Sequence, residues 1–341
     1  MREAERQILI AFIELEEPFE TANNRAYRFF PKTLEEAAAY FGVLREDWSE
    51  AYPALVKRGY LTESGGTYAL TAEGKEAARQ ERLDHPPIYY WYREFYPLAA
   101  SSQAYALFCR RLYGANFYQA GFSDLEQVDF LIQAGRLNAH SRILDLGCGL
   151  GNVIEFLSDR TGARAWGLDY APESVRLALA RTLAKRERLD FLEGNLDHLE
   201  GLPEKFNTLL SIDTLYMTNR LVDTLGKMGS LLEPGGQMLV YYSYFTFHPA
   251  EPRERLTSGG NPLGQALAEM GLAYQSWDFS EATFHLMRRK HHLALEMASD
   301  FEAEGNGVLL AFLLDESDPG ESPFDPSSNP YSRYLYRILK P

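Results

Sequence analysis

The sequence predicts an α/β protein whose main part is a mostly parallel, seven-stranded sheet with helices on both faces. Three observations predict it. From Arg142 onward, five short apolar runs (RILDLG, ARAWGLDY, LDFLEGN, FNTLLSID and QMLVYYSYF) alternate with helical stretches, and they begin roughly twenty to thirty residues apart, as successive strand-helix-strand units require. Further candidate strands near Ala273 to Phe279 and near Tyr334 to Leu339 bring the count to seven, the last of them antiparallel. Finally, 341 residues exceed one ordinary core, so a second module is expected.

Residues 1–82 supply that module. A helical segment opens the chain, a second helix is expected at Thr33 to Phe41, and a third at about Glu46 to Arg58. A short hairpin follows, from Tyr60 to Ser64 and from Thr67 to Thr71, because the intervening Gly65 and Gly66 suit the positive φ of a tight hairpin turn. Thr71 is placed to cap the helix TAEGKEAARQERL. This order of elements resembles bacterial winged-helix domains. Such a fold raises DNA as a partner, yet the first turn of the third helix would bring Glu46, Asp47, Trp48 and Glu50 toward phosphates. Residues 1–82 also carry 11 Lys and Arg against 15 Asp and Glu. The charge favours a dimerisation or substrate-covering module.

The whole chain has a formal net charge of -14 and a pI near 5.1, which works against partners bound through phosphate neutralisation, whether nucleic acid or an anionic membrane. Its opening residues alternate apolar and acidic positions and contain no signal-like apolar run, so a cytoplasmic protein is expected. Two cysteines, Cys109 and Cys148, imply neither a disulfide framework nor a metal site. Residues 83–135 read as an aromatic-rich helical connector, rich enough in rings to pack domains together or to wall an acceptor pocket. From residue 136 to 341 runs the sheet domain, with a helical insertion at about 281–330 placed to act as a lid over the ligand end of the sheet. The stretch DPGESPFDPSSNP within it is a loop.

Chemistry concentrates where the first strand of the sheet runs into a glycine-rich turn, Ile143 to Asn152. Gly147, Gly149 and Gly151 let backbone approach a ligand without Cβ clashes. Glycine turns of this kind also cradle pyrophosphates, but Asp145 would repel one and attract an ammonium instead. The wording LDLGCGLGN resembles motif I of the class I S-adenosylmethionine-dependent methyltransferases, a Rossmann-like group, and the resemblance extends from about Ser141 to Phe245. It implies S-adenosylmethionine as the cofactor, with Asp145 toward its methionine ammonium. Asp169, about twenty residues after the glycines, would accept hydrogen bonds from both ribose hydroxyls, and Tyr170 would stack on the adenine. Asn195 stands where the family commonly has an Asp that contacts the adenine amino group, with Leu196 beside it. Residues from Ser211 to Thr214 would line the donor pocket, and Asp213 and Tyr216 would approach the acceptor.

The resemblance further implies methyl transfer to a small molecule by in-line displacement, in which the protein aligns a nucleophile and excludes water. Tyr216 and His285 are the expected catalytic residues, with His248 and Asp213 as further candidates for taking a proton. A homodimer is expected by analogy with similar winged-helix enzymes. The rival expectation is a winged-helix transcriptional regulator or a nucleic-acid methyltransferase. Against it, the segment after the fourth strand reads IDTLYM, without the Asn/Asp-Pro-Pro-aromatic signature of base-modifying enzymes.

Overall fold

The computed structural model describes residues 1–17, 48–200, 202, 205–246, 251–315, 320 and 322–340. It divides into two compact units, one made of residues up to 94 and one running from Phe95 to the end of the chain, apart from residues 22–24.

In the first unit, helix α1 (Glu3–Glu16) and helix α2 (Ala51–Lys57) precede a hairpin of β1 (Leu61–Ser64) and β2 (Thr67–Leu70), and helix α3 (Ala72–Asp84) follows. The hairpin turns at Gly65 and Gly66, whose φ values of 59° and 81° fall in the left-handed region that favours glycine. Thr71 caps α3, its hydroxyl accepting the Gly74 N–H at 2.9 Å. Ile8, Leu9, Ile10 and Ile13 of α1 form a core with Leu55, Leu61 and Leu70. Glu14, fully buried on the same helix, is held by Arg82 at 2.8 Å. The expected helix at Thr33 to Phe41, and the first residues of the one expected from Glu46, lie outside the described residues. Trp48 is not presented to a partner at the surface. It is buried, and its indole N–H donates to Gln7 at 2.8 Å.

In the second unit, α4 (Pro87–Ser101, whose later residues belong here), α5 (Gln103–Tyr113) and α6 (Leu125–Gly135) precede the sheet. The strands are β3 (Arg142–Leu146), β4 (Arg164–Asp169), β5 (Leu189–Glu193), β6 (Phe206–Ile212), β7 (Leu232–Phe245), β8 (Tyr274–Asp278) and β9 (Tyr331–Leu339). Their order across the sheet is β5-β4-β3-β6-β7-β9-β8. The pairs β5/β4, β4/β3, β3/β6 and β6/β7 are parallel, while β9 runs antiparallel to both neighbours. The mostly parallel, seven-stranded sheet is therefore observed. Helices α7 (Asn152–Thr161), α8 (Pro172–Arg181) and α9 (Leu221–Leu231) connect its strands. Pro172 opens α8, where its lack of an N–H costs nothing.

After β7 come α10 (Pro262–Glu269) and then, between β8 and β9, three helices: α11 (Ser280–Glu296), α12 (Ala298–Ala303) and α13 (Gly307–Asp315). These occupy the helical insertion expected at about 281–330. Among the described residues, no helix is long and apolar enough to cross a membrane.

Candidate functional site

Strand β3 lies between β4 and β6, so the connections leave it in opposite directions and a crevice opens at the carboxyl ends of β3 and β6. Two turns face this crevice: Gly147 to Gly151 after β3, and Asp213 to Met217 after β6.

The first turn is closely built. Gly147, Gly149 and Gly151 have φ values of 78°, 55° and 74°. A Cβ on Gly147 would overlap the Thr214 side chain, one on Gly149 would meet the Tyr96 hydroxyl at 2.6 Å, and one on Gly151 would overlap the Phe191 ring. The N–H groups of Gly147 and Cys148 both donate to the Leu168 carbonyl, at 2.7 and 3.0 Å. Thr214 closes the contact from the second turn, its hydroxyl donating to the Leu146 carbonyl at 2.7 Å.

Acidic groups lie directly beneath. Asp145 is buried, and its Oδ1 has no hydrogen-bond partner. Burial, reinforced by the neighbouring charge of Asp169, pushes its pKa up to about 7. Asp169 is equally buried and is pushed up to about 6 by burial, against the lowering effect of backbone donors. Its Oδ2 accepts the Gly149 N–H at 2.8 Å and its Oδ1 the Ala171 N–H at 2.9 Å. Two more buried oxygens without partners flank the turn: Oδ1 of Asn152, at the start of α7, and Oδ1 of Asn116. These two residues adjoin each other, since the Asn152 amide donates to the Asn116 carbonyl at 3.2 Å. Buried acceptors without donors are rare in a folded chain. Three beside one turn suit a ligand that carries N–H groups and positive charge.

The remaining expected residues are placed as follows. Tyr170, Asn195 and Leu196 are half-buried at the ends of β4 and β5, and Asn195 Oδ1 accepts the Asp197 N–H at 2.9 Å. Asp197 accepts from the Asn219 side chain at 2.6 Å and the Thr224 hydroxyl at 3.1 Å, tying the loop after β5 to the start of α9. Tyr216 is buried on the turn after β6, edge-on to Tyr242. His285 is exposed on α11, with Glu281 at 3.8 Å, and takes no part in the hydrogen bonds that assemble the crevice. His248 lies outside the described residues.

Asp213 requires a correction. Its carboxylate does not stand ready for a cofactor or a substrate proton, because Arg333 of β9 binds both oxygens, at 3.0 and 2.7 Å. Ser243 and the Phe122 N–H complete its partners, each at 3.3 Å. Arg333, Asn116 and Gln127 belong to this site although no motif in the sequence pointed to them. The one hint available was the arginine that opens the largely apolar and aromatic run RYLYRIL.

Comparison with known proteins adds an independent finding. Residues 143–236 match the methyltransferase domain family. The ubiquinone biosynthesis O-methyltransferase of Azorhizobium caulinodans is 31% identical over 99 residues, which are 29% of this chain and 39% of that enzyme. The erythromycin 3''-O-methyltransferase of Saccharopolyspora erythraea is 28% identical over 184 residues, 49% of this chain and 59% of that one. Across the curated relatives, the matched stretch spans between 32% and 59% of their length. Among solved structures, phosphoethanolamine N-methyltransferase 2 of Haemonchus contortus, in complex with phosphomonomethylethanolamine and S-adenosylhomocysteine, superposes with a TM-score of 0.52 at 13% identity, covering 73% of this chain and 59% of that one. At such identity the likeness is one of fold, and the match to the methyltransferase domain family covers residues 143–236 alone.

Proposed function

We propose that the sheet unit binds S-adenosylmethionine and directs its methyl group to a small-molecule acceptor. The observation that carries this reading is the buried Asp145 carboxylate with an unpartnered oxygen, beneath a glycine turn where any Cβ would meet Thr214, Tyr96 or Phe191. Such a place suits a cationic ligand and repels a pyrophosphate. S-adenosylmethionine would supply a methyl carbon activated by its sulfonium, which the acceptor attacks in line with S-adenosylhomocysteine as the leaving group.

The chain's own residues then have separate tasks. Asp145 receives the methionine ammonium, and Gly147, Gly149 and Gly151, seated against Thr214, Tyr96 and Phe191, bring the backbone of the turn to the ligand. Asp169, steadied by the N–H groups of Gly149 and Ala171, is placed to accept the ribose hydroxyls. Tyr170, Asn195 and Leu196 border the adenine. On the far side of the crevice, Tyr216 faces the acceptor and is our assignment for orienting it. His285 is a weaker assignment, because its exposed position would need α11 to act as a moving lid. The acidic charge and the burial of Trp48 support a small-molecule acceptor over nucleic acid, and residues 1–82 are read as a module for pairing subunits or covering substrate.

Calorimetric titration of the whole protein with S-adenosylmethionine, S-adenosylhomocysteine and NAD tests the reading. Saturable binding of the first two and none of NAD is the expected result. Binding of neither sulfur compound would overturn it.

A further inference from the structure

We infer that Arg333, on the last strand of the sheet, is a positioning residue of the donor site and acts through Asp213. This rests on the donor reading above, but it concerns residues which that reading does not use. Arg333 is fully buried, and its guanidinium is held by three side chains. Nε and Nη2 grip the two oxygens of Asp213, Nη2 also donates to the Ser123 hydroxyl at 2.7 Å, and Nη1 donates to the Gln127 side chain. The guanidinium lies over the Tyr241 ring, 4.2 Å from its centre.

Three parts of the crevice meet on this pair. Asp213 has a φ of 56°, a conformation that costs a non-glycine residue energy and persists only where surroundings impose it. The next residue is Thr214, which packs on Gly147 and bonds the Leu146 carbonyl, so the angle at Asp213 sets the seat of the glycine turn. Two residues further comes Tyr216. On the other side, Asp213 Oδ2 accepts the Phe122 N–H, and Gly121 lies so close that a Cβ there would sit 3.0 Å from the same oxygen.

The segment from Gly114 to Ser123 therefore spans the crevice. At one end Asn116 meets Asn152 beside the glycine turn, and at the other Phe122 is bonded to Asp213. Between them, the Tyr105 hydroxyl holds the Gln119 carbonyl at 2.8 Å and the Tyr113 hydroxyl holds the Gly121 carbonyl at 3.0 Å, while Tyr118 has a φ of 45°. Gln127 anchors the segment from α6 by donating to the Phe122 carbonyl at 2.9 Å. Burying a charged pair is a poor way to gain stability, since apolar residues of similar volume commonly serve as well or better. What the guanidinium fork adds is direction: planar, two-point geometry that orients one carboxylate. Here that carboxylate joins the covering segment to the glycine turn.

The test uses the full chain and a matched replacement, Arg333→Met with Asp213→Leu, which removes both charges while filling the volume. Its thermal transition, amide exchange over residues 114–123 and calorimetric affinity for S-adenosylhomocysteine are compared with wild type. The double variant is expected to stay folded, to lose protection at residues 121–123 by at least tenfold and to bind S-adenosylhomocysteine at least tenfold more weakly. Wild-type affinity and protection in a folded double variant would overturn the inference, because the pair would then merely fill the core. Should the double variant not fold, Arg333→Lys keeps the charge without the fork, and at least threefold weaker binding is expected from it. Unchanged binding by that variant would again overturn the role. If the wild-type protein itself binds no S-adenosylhomocysteine, the donor reading falls, and the exchange comparison alone decides whether Arg333 holds the segment.

Discussion

Two clusters of buried acid lie at the carboxyl edge of the sheet, on neighbouring strands, and they are built on opposite plans. At the end of β3 and β4, Asp145 and Asp169 stand near each other with no ion pair to a basic side chain among the described residues, and burial raises both. At the end of β6, Asp213 is buried just as deeply but is clasped by a fully buried arginine. An acid with its own cation is complete, and its task is to hold neighbouring parts in place. An acid without one keeps a cost that a cationic ligand can relieve, which marks where binding belongs.

The largest expected effect breaks the completed cluster. Arg333→Met alone leaves Asp213 buried and uncompensated, so the unfolding free energy should drop by about 3–5 kcal/mol. Chemical denaturation will measure it, and a loss below about 1 kcal/mol would show that Asp213 reaches solvent or another donor instead.

Next in size is the incomplete cluster. Asp145 has its folded-state pKa raised to about 7, above the ordinary carboxylate value, so the folded chain holds a proton that the unfolded chain releases. Stability should therefore fall as pH rises from about 4 to about 7, and it should level off beyond that. Asp145→Asn removes the penalty, raising stability at pH 8 by on the order of 2 kcal/mol while weakening donor binding. Equal stability of variant and wild type at pH 8 would mean that the carboxylate is hydrated and costs little.

A third effect follows from the same proton. Only the ionised carboxylate attracts an ammonium, so affinity for S-adenosylhomocysteine should decline by up to about tenfold per unit as pH falls below about 7. Titrations at pH 8, 7 and 6 will reveal the slope, and Asp145→Asn should abolish most of it. A flat wild-type profile would remove Asp145 from the ammonium site. The smallest effect separates α11 from the crevice: His285→Ala should change stability by no more than about 0.5 kcal/mol and leave donor affinity unaltered, because the ring is exposed. A clear loss of affinity would return His285 to the site.

Much of this arrangement was legible in the chain. Apolar runs separated by helical stretches located the five parallel strands, because burial on both faces makes such strands continuous in their hydrophobicity, and two later runs located β8 and its antiparallel neighbour β9. Glycines at 147, 149 and 151, with Asp145 inside the strand, marked the turn, and the structure explains each glycine by positive φ and by a neighbour where Cβ would lie. Thr71 and Pro172 were readable as helix starts for equally local reasons. Less legible was the fate of side chains whose partners are far away in sequence. Asp213 reads as a polar group emerging at a strand end, and only the return of β9, 120 residues later, shows that an arginine has claimed it. Asn116 carries no signal at all, since its position beside Asn152 depends on how the segment after α5 is folded over the sheet.

The division between what the sequence by itself determined and what only the folded molecule decided follows range of interaction. Strand positions, turn positions and the acidic glycine turn rest on periodicity, backbone sterics and burial, which act within a few residues and so leave a local imprint. Whether a buried acid is to receive a ligand or to brace the wall depends on which cation, if any, packs against it. That is decided by the antiparallel last strand, which brings Arg333 across the sheet to Asp213 and leaves Asp145 without a basic partner.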